Sequence, residues 1–361
     1  MSYIAAIGTA VPAHRYKQEE ILHFMKFFQK LSDDDYRKQS VLYKNSGIDT
    51  RYCIMPDYKC SVEERIFYPK NDHMTPFPLM DERMQMYCEQ APLLAIEAIK
   101  NAIPERKYSS ITHLITVSCT GMAAPGLDLW LLQKLNMSRN IHRTSVNFMG
   151  CYATIHAMKQ AHAICSQIID AQVLIVSVEL CSLHFQRENT MDNNLSNLLF
   201  ADGAAAMLIN NDAQNSWYSI AHFYSEVDNE GRNDMAWQLS SKGFLMTLTS
   251  YIPQLLKKGF QNIVNNSLAH SHLSIGDVKY WAIHPGGKRI LDTIKSELSL
   301  PYECMAASYE ILQKFGNMSS PTISFVLEHI TKNQKPLAGD TIFGAAFGPG
   351  LTTETFVLKS I

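Results

Sequence analysis

The sequence predicts an α/β protein built from two similar halves. From residue 112 onward, short apolar segments typical of buried strands alternate with longer segments of helical periodicity. The same order of segments returns about 166 residues later in the chain. Strands that alternate with helices form sheets covered on both faces, so we expect each half to hold a largely buried sheet.

The segments before the alternation are less regular. Residues 3–7 are predicted to form a strand, and residues 18–28 a helix, because the apolar side chains of this helix recur on one face. Several prolines interrupt residues 52–80, so we expect a long irregular excursion there. A helix over residues 82–101 should follow it.

The first half then alternates strand and helix. The predicted strands are residues 112–119, 142–148, 173–178 and 204–209, and the predicted helices are residues 127–135 and 153–169. The second half repeats this order with strands at 280–284, before Tyr309, at 341–347 and at 351–358, and with a helix at 289–298. We therefore divide the chain into residues 1–211 and 212–361.

The composition is that of a folded protein with a large core. The chain has 361 residues, of which 46% are hydrophobic and 18% charged. The 32 basic and 34 acidic residues nearly cancel, and no stretch concentrates Lys and Arg, so we expect neither nucleic acid nor a membrane surface as a partner. No apolar run approaches the roughly 18 to 20 residues that cross a bilayer, and no secretory signal is recognisable, so we expect a cytoplasmic protein.

Cysteine usage favours reduced thiols. The eight cysteines are spread along the chain without a CxxC pair, which argues against a zinc finger and a disulfide framework. His270 and His272 have no acidic or thiol partner nearby in the sequence, so we expect no metal site. One of the thiols is therefore a candidate nucleophile.

The repeat brings three chemically useful side chains together. Cys151 and Asn317 occupy equivalent positions before predicted helices, and His284 ends the strand that precedes Asn317. A helix N-terminus favours a thiolate and should lower the pKa of Cys151. A histidine beside it could pair with the thiolate and donate to an oxyanion, and the Asn amide could be a second donor. The alternatives are a small buried Cys, a structural His and a helix-capping Asn.

Five motifs carry a resemblance to a known family. They are GC at 150–151, LLFADGAAA at 198–206, HPGG at 284–287, FGNMSS at 315–320 and FGPGLTTET at 347–355. Together they resemble the type III polyketide synthases, which include the chalcone and stilbene synthases, and the similarity runs from about residue 4 to the C-terminus. The resemblance implies a thiolase-like five-layered αβαβα fold and a homodimer. Coenzyme A thioesters would be the substrates, without a further cofactor.

The resemblance also implies roles for individual residues. Cys151 would take a starter acyl group from its CoA thioester. His284 and Asn317 would hold the thioester carbonyl of malonyl-CoA and stabilise the enolate left by decarboxylation. Phe200 matches an aromatic residue that shields this step from water.

Further residues match positions around the substrate. Cys119, Thr120, Ser319 and Pro349 match the cavity or its surroundings, and the loop at 121–126 resembles one that reaches across the dimer interface. Lys38 and Lys44 lie where the family uses basic side chains on CoA. We add four residues of the HPGG region as CoA contacts: Gly286, Gly287, Lys288 and Arg289.

Three positions depart from the plant pattern at the substrate cavity. Met246 replaces an aromatic gate, Trp237 a glycine and His184 a threonine. Trp237 should reduce the cavity, whereas Met246 should loosen it. Cys119 and the helix at 83–87 look like those of bacterial members that make phenolic or resorcinol-type products.

Two rival functions remain at this stage. A β-ketoacyl-acyl-carrier-protein synthase III-like enzyme would use the same three residue types for one condensation, but the HPGG and FGPG motifs argue against it. A catalytically silent scaffold or acyl-binding protein is the rival from another class. The intact Cys151, His284 and Asn317 disfavour it.

Overall fold

A long mixed sheet organises the molecule. The computed structural model describes residues 1–232, 234–249 and 252–361. Its strands are β1 (Tyr3–Ala10), β2 (His14–Lys17), β3 (Thr50–Cys53), β4 (His113–Ser118), β5 (His142–Asn147), β6 (Val173–Leu180), β7 (Asp202–Asn210), β8 (Tyr218–Val227), β9 (Met235–Ser240), β10 (Gly243–Leu248), β11 (Tyr280–Ile283), β12 (Thr341–Gly348) and β13 (Thr352–Ser360). Its helices are α1 (Gln18–Phe28), α2 (Asp33–Lys44), α3 (Met80–Ala102), α4 (Leu127–Lys134), α5 (Ala153–Gln167), α6 (Met191–Leu199), α7 (Ile252–Ala269), α8 (Lys288–Glu297), α9 (Tyr302–Phe315) and α10 (Thr322–His329).

The strand order shows the internal repeat. In the described part of the chain, the main sheet has nine strands in the order β11-β12-β13-β8-β1-β7-β6-β4-β5. The central strands β1 and β8 run antiparallel, with Tyr3 opposite Ser219 and Ile4 opposite Tyr218. On either side of this pair the strands follow in corresponding chain order, first β7, β6 and β4, then β13, β12 and β11. The two halves are therefore related by an approximate twofold axis between β1 and β8.

One predicted strand of the second half is wrong. The segment before Tyr309 belongs to helix α9, so the second half has no counterpart of the edge strand β5. Met305, Ser308, Ile311 and Leu312 are buried at helical spacing along one face of α9. The strand was predicted by analogy with the first half, although the helical spacing of these buried residues favours a helix.

The helices form the outer and central layers of an αβαβα arrangement. Helix α5 packs on β4, β6 and β7 but also on β13 of the other half, and α10 packs on β1, β7 and β11. Helix α3 covers the first half of the sheet from outside, and α7 covers the second. Side chains of β4 alternate between the two faces, with Ile115 and Val117 in the central core and Leu114 in the outer one.

Most predicted elements are confirmed within a few residues. Helix α1 begins and ends at the predicted residues, and α3 starts two residues before its prediction. The excursion before α3 contains the short strand β3, which pairs with β2. The division of the chain at residues 211 and 212 stays a prediction.

The described residues contain neither a membrane-spanning helix nor a metal cluster. None of their helices is both long enough and apolar enough to cross a membrane. Within the same ranges, no group of three or more His, Cys, Asp or Glu side chains is placed to hold a metal ion.

Two glycines provide a matched test of the packing. A β-carbon at Gly344 on β12 would lie 1.9 Å from Cζ of the buried Phe356, whereas one at Gly259 on α7 would meet no atom within 4 Å among those that the structure describes. We expect Gly344→Ala to lower the free energy of unfolding by about 1–3 kcal/mol through overpacking. Gly259→Ala should raise it by about 0.4–1 kcal/mol through helix propensity. Denaturant unfolding measures both, and equal effects of the two variants would contradict the packing described here.

Candidate active site

A small cavity lies where the two halves meet. Its volume is about 40 Å³. It is lined by most of the predicted site residues: Cys119, Thr120, Cys151, Phe200, Trp237, Met246, His284, Gly286, Asn317, Ser319 and Pro349. Residues that the sequence analysis did not single out complete the wall, among them Cys181, Leu248 and Phe347. Cys151 and Asn317, which are 166 positions apart in the chain, thus line the same cavity.

A tight turn between β5 and α5 presents the thiol of Cys151. Gly150 in this turn has φ of +86°, and a β-carbon there would lie 2.3 Å from Cδ of Pro349. Only glycine fits both requirements. Cys151 itself is 9% exposed, and its Sγ lies 3.5 Å from Oγ of Ser319.

The electrostatics of this thiol differ from the sequence expectation. Burial raises the pKa of Cys151 to about 11, and the nearby Glu179 carboxylate adds to the rise, although hydrogen bonds from Ser319 and Asn317 oppose it. The sequence analysis predicted a lowered pKa from the start of α5. Loss of hydration outweighs that effect because the thiol lies inside the cavity and not at its mouth.

His284 is a neutral imidazole that faces the cavity from the end of β11. Its backbone N–H donates to the Ala345 carbonyl at 2.8 Å, which continues the pairing of β11 with β12. The residue is 1% exposed, and neither ring nitrogen has a hydrogen-bond partner among the described residues. Burial lowers the pKa of His284 to about 3. One ring nitrogen can therefore donate to a ligand, and the other can accept a proton.

Asn317 is held by two backbone hydrogen bonds across the halves. Its N–H donates to the Leu199 carbonyl at 2.9 Å, and its own carbonyl accepts from the N–H of Ala201 at 2.9 Å. These bonds form a parallel bridge between Asn317 and Phe200. The side-chain Oδ1 accepts from the N–H of Ser319 at 2.8 Å, and the amide contacts the Cys151 thiol.

The helix-capping alternative for Asn317 is wrong. Helix α10 begins at Thr322, and its capping residue is Pro321. The Asn317 amide thus serves the cavity and not the helix.

Glu179 is a buried carboxylate that the sequence analysis missed. It lies on β6 with no exposure and accepts from Cys119 N at 2.9 Å, from Thr120 Oγ1 at 2.7 Å and from Ser320 Oγ. Burial raises the pKa of Glu179 to about 7. The signal in the sequence was a single acidic residue within the otherwise apolar segment VLIVSVEL.

The second thiol and the predicted cavity wall are in place. Cys119 Sγ accepts from the backbone N–H of Gly150 at 3.0 Å, so it braces the turn that carries Cys151. Trp237 donates its indole N–H to the Cys119 carbonyl at 2.8 Å. Met246 lies opposite Trp237 in the β9–β10 hairpin. The hairpin thus closes one side of the cavity with two large side chains.

His184 lies behind this wall, and the structure does not place it in the cavity lining. Its Nε2–H donates to the Thr120 carbonyl at 2.7 Å, and Nδ1 accepts from the N–H of Phe244 at 3.1 Å, a tautomer assigned from these partners. The imidazole stacks on the Phe244 ring at 4.3 Å, and burial lowers its pKa to about 3. A fully bonded ring in this position braces the wall. The sequence could not show on which side of the wall the ring would lie.

A larger apolar chamber adjoins the cavity on the outer side. Its volume is about 230 Å³, and the two spaces share Leu248, Gly286 and Ile290. Gly287, Lys288 and Arg289 are among its lining residues, and their role as CoA contacts stays a prediction.

The predicted lysines of α2 do not line this chamber. Helix α2 contributes Val41 and Leu42 instead. Lys38 is exposed and pairs with Asp34 at 2.7 Å. Lys44 lies at the end of the same helix, next to the lining residue Asn45.

Together, the fold and the site define a thiolase-like condensing enzyme, in which a buried thiol, an imidazole and an amide share one cavity. Two family models, described as chalcone and stilbene synthases N-terminal domain and C-terminal domain, match residues 1–213 and 223–361. The chain belongs to the chalcone and stilbene synthase family. It is a type III polyketide synthase that condenses CoA thioesters and needs no additional cofactor.

Individual relatives agree with this assignment. The chain is 30% identical over 288 residues to "Alpha-pyrone synthesis polyketide synthase-like Pks18" of Mycobacterium tuberculosis, which covers 78% of this chain and 73% of that protein. Among solved structures, PKS-I from the brown alga Ectocarpus siliculosus is similar with a TM-score of 0.91 and 26% identity, covering 100% of this chain and 98% of that one. The C-terminal type III polyketide synthase domain of Dictyostelium Steely1 is similar with a TM-score of 0.91 and 25% identity, covering 100% and 99%.

Glu179 provides a test of the electrostatics around Cys151. Because its negative charge raises the pKa of the thiol, we expect Glu179→Gln to lower that pKa and to speed alkylation of Cys151 by iodoacetamide. Glu179 itself titrates at about 7, so the acceleration should grow as the pH rises through this value and vanish below it. Peptide mass spectrometry across a pH series measures the rate at this one residue.

A second buried carboxylate is the matched control for this test. Asp202 has no exposure, burial raises its pKa to about 6, and its partners are Ser182 and Ile54. Asp202→Asn should leave the alkylation profile of Cys151 in place. An unchanged profile in Glu179→Gln, or a slower one, would contradict the charge effect.

Proposed function

We propose that Cys151 carries the starter and the growing chain, while His284 and Asn317 activate the malonyl extender. The observation that supports these roles is the shared cavity, in which a thiol meets an amide and an imidazole whose two nitrogens have no partner among the described residues. Each of these groups has a hydrogen-bonding or nucleophilic capacity that the protein around it leaves unused. The order of the reaction follows from what each can do.

Loading transfers the starter from CoA to the enzyme. The neutral His284 imidazole accepts the Cys151 proton, and the thiolate attacks the carbonyl carbon of the acyl-CoA thioester. A new sulfur–carbon bond forms, the bond to the CoA sulfur breaks, and the departing CoA thiolate takes up a proton. One thioester replaces another, so the step is nearly isoenergetic.

Extension begins with decarboxylation of malonyl-CoA. The bond to the carboxylate breaks, CO₂ leaves, and the electron pair becomes an enolate whose negative charge lies on the thioester oxygen. The His284 N–H and the Asn317 amide donate to this oxygen, so no metal is needed to stabilise it. The enolate carbon then attacks the acyl group on Cys151, and the thiolate leaves. The lengthened chain is now a CoA thioester, and the Cys151 thiolate takes it back by the same exchange that loaded the starter. Phe200 lies beside this centre and excludes water.

The large side chains of the wall favour a small starter or few extensions. Trp237 and Met246 lie opposite each other and leave a cavity of about 40 Å³. The product we propose is a phenolic, resorcinol-type or pyrone polyketide. The similarity to a relative named for alpha-pyrone synthesis supports the last of these.

The outer chamber is the proposed site for CoA. Lys288 and Arg289 begin helix α8 directly after Gly286 and Gly287 and line the chamber, and the Lys288 ammonium also pairs with Asp292 at 2.6 Å. Lys44 at the end of α2 would add positive charge beside the chamber, whereas Lys38 would have to give up its pairing with Asp34 to do so. Phosphates of CoA could bind across this mouth while the pantetheine arm passes inward.

We also propose a homodimer in the cytoplasm. Edge strand β5 has five exposed or half-exposed residues out of six, and Leu129 and Trp130 are exposed nearby. An open edge of this kind is a ready surface for pairing with a second copy. The loop at 121–126 lines a cleft of about 280 Å³ beside it. The spread of the eight cysteines without a CxxC pair supports a reducing compartment.

Product analysis tests the proposed function. Purified protein is incubated with labelled malonyl-CoA and short, long or aromatic acyl-CoAs, and the products are identified by mass spectrometry. We expect multiply extended products that disappear in Cys151→Ala. The matched control is Cys165→Ala, since Cys165 is also buried but lies in the central core away from the cavity.

Other outcomes of this experiment select the rivals. Single condensations that require malonate on a carrier protein would indicate a synthase III-like enzyme. No turnover with any donor would favour the catalytically silent scaffold or acyl-binding protein.

Trp237 provides a separate test of cavity control. Trp237→Gly removes the largest side chain of the β9–β10 wall, so we expect products longer by at least one two-carbon unit. Trp217→Gly is the control, because Trp217 packs against the core near β8 and not in the cavity. An unchanged product length in Trp237→Gly would show that this side chain does not limit extension.

A further inference from the structure

A buried arginine lies directly behind the proposed decarboxylation site. Arg51 is on strand β3 and is 2% exposed. Among the described residues it forms no ion pair with a carboxylate, and its Nη2 has no hydrogen-bond partner. Its Nε and Nη1 donate to neutral oxygens instead. They are Gln18 Oε1 at 2.9 Å, the Asn197 carbonyl at 2.7 Å and the Phe200 carbonyl at 2.6 Å.

Two of these oxygens belong to the end of helix α6. The last carbonyls of a helix have no partner within it and carry a partial negative charge. Arg51 satisfies those of Asn197 and Phe200, and the amide of Gln18 donates to the Leu198 carbonyl at 2.9 Å. The guanidinium therefore fixes the backbone of Phe200, whose side chain lines the cavity.

The stem of the same arginine supports the other strand of the bridge. Gly316 has φ of +71°, and a β-carbon there would lie 2.8 Å from Cγ of Arg51. Strand β3 also holds the end of α9, because Thr50 Oγ1 donates to the Lys314 carbonyl at 2.7 Å. Arg51 thus lies beneath both Phe200 and the Gly316–Asn317 turn.

Cys151 is held by different contacts. Its turn is fixed by the Cys119 thiol, which accepts from the Gly150 N–H at 3.0 Å, and by the close packing of Gly150 on Pro349. Among the described residues, Arg51 makes no hydrogen bond to either segment. Its removal should therefore displace one part of the site and leave the other in place.

We propose that Arg51 is a positioning residue for the decarboxylation half-reaction: it fixes Phe200 and Asn317 relative to each other without contacting the substrate. This inference rests on the proposed roles of Phe200, Asn317 and Cys151. Lysine cannot replace it fully, because one ammonium group does not reproduce the planar fork that reaches three separate acceptors.

The two half-reactions can be measured separately. Release of labelled CO₂ from carboxyl-labelled malonyl-CoA reports decarboxylation. Single-turnover transfer of the acyl group from butyryl-CoA to Cys151, followed by intact-protein mass spectrometry, reports loading. Both are measured for the wild-type protein, Arg51→Lys and Arg51→Met.

A second buried arginine serves as the matched control. Arg83 has no exposure and also binds backbone carbonyls, those of Pro78 and Leu183, but it does not contact the Phe200–Asn317 bridge. Arg83→Lys and Arg83→Met report what the loss of a buried arginine does to the molecule in general. Thermal unfolding of all four variants identifies those that are folded. If Arg51→Met is unfolded, the comparison is made with Arg51→Lys alone.

We expect Arg51→Met to slow CO₂ release at least tenfold while loading stays within threefold of the wild-type rate. The rate of CO₂ release by Arg51→Lys should lie between those of the wild-type protein and Arg51→Met. The Arg83 variants should change both rates by a common factor. If the Arg51 variants also change both rates equally, Arg51 is merely structural and the inference is overturned. If the wild-type protein loads Cys151 but releases no CO₂, the proposed roles of His284 and Asn317 fail first, and this inference fails with them.

Discussion

Two backbone hydrogen bonds join Asn317 to Leu199 and Ala201, in the connection between helix α6 and strand β7, and link the halves at the point where the chemistry is proposed to occur. They fix the amide of one half beside the aromatic ring of the other. The antiparallel pairing of β1 with β8 brings these segments together, and the central helices α5 and α10 then pack against both halves. A cavity built across such a joint depends on the position of each half, because neither half contains the complete set of groups.

Burial determines the chemical state of this cavity. It raises the pKa of Cys151 to about 11 and lowers that of His284 to about 3, so thiol and imidazole are both neutral at physiological pH. In the mechanism that we propose, a proton transfer from the thiol to the imidazole would create the nucleophile. Neutral walls also suit decarboxylation, since a malonyl carboxylate is poorly solvated there and its loss as CO₂ removes the charge.

The sequence predicted what depends on local pattern and on the repeat. Periodicity located α1 and α3, and the repeat placed Cys151, His284 and Asn317 together. The repeat predicted a strand where helix α9 lies, because the second half is not a strict copy of the first. Arg51 and Glu179 could not be assigned roles, since their importance comes from partners more than 50 residues away. His184 shows the same limit, because the pattern of residues does not reveal which side of a wall a ring occupies.

The most direct test of the central claim is the site of acyl transfer. The protein is mixed with an acyl-CoA in the absence of malonyl-CoA, digested, and mapped by mass spectrometry. We expect the acyl mass on the peptide that contains Cys151, and on none of the peptides that contain the other seven cysteines. An acyl group on Cys119 or Cys181, which line the same cavity, or no acyl-enzyme at all, would contradict the assignment of Cys151 as the nucleophile.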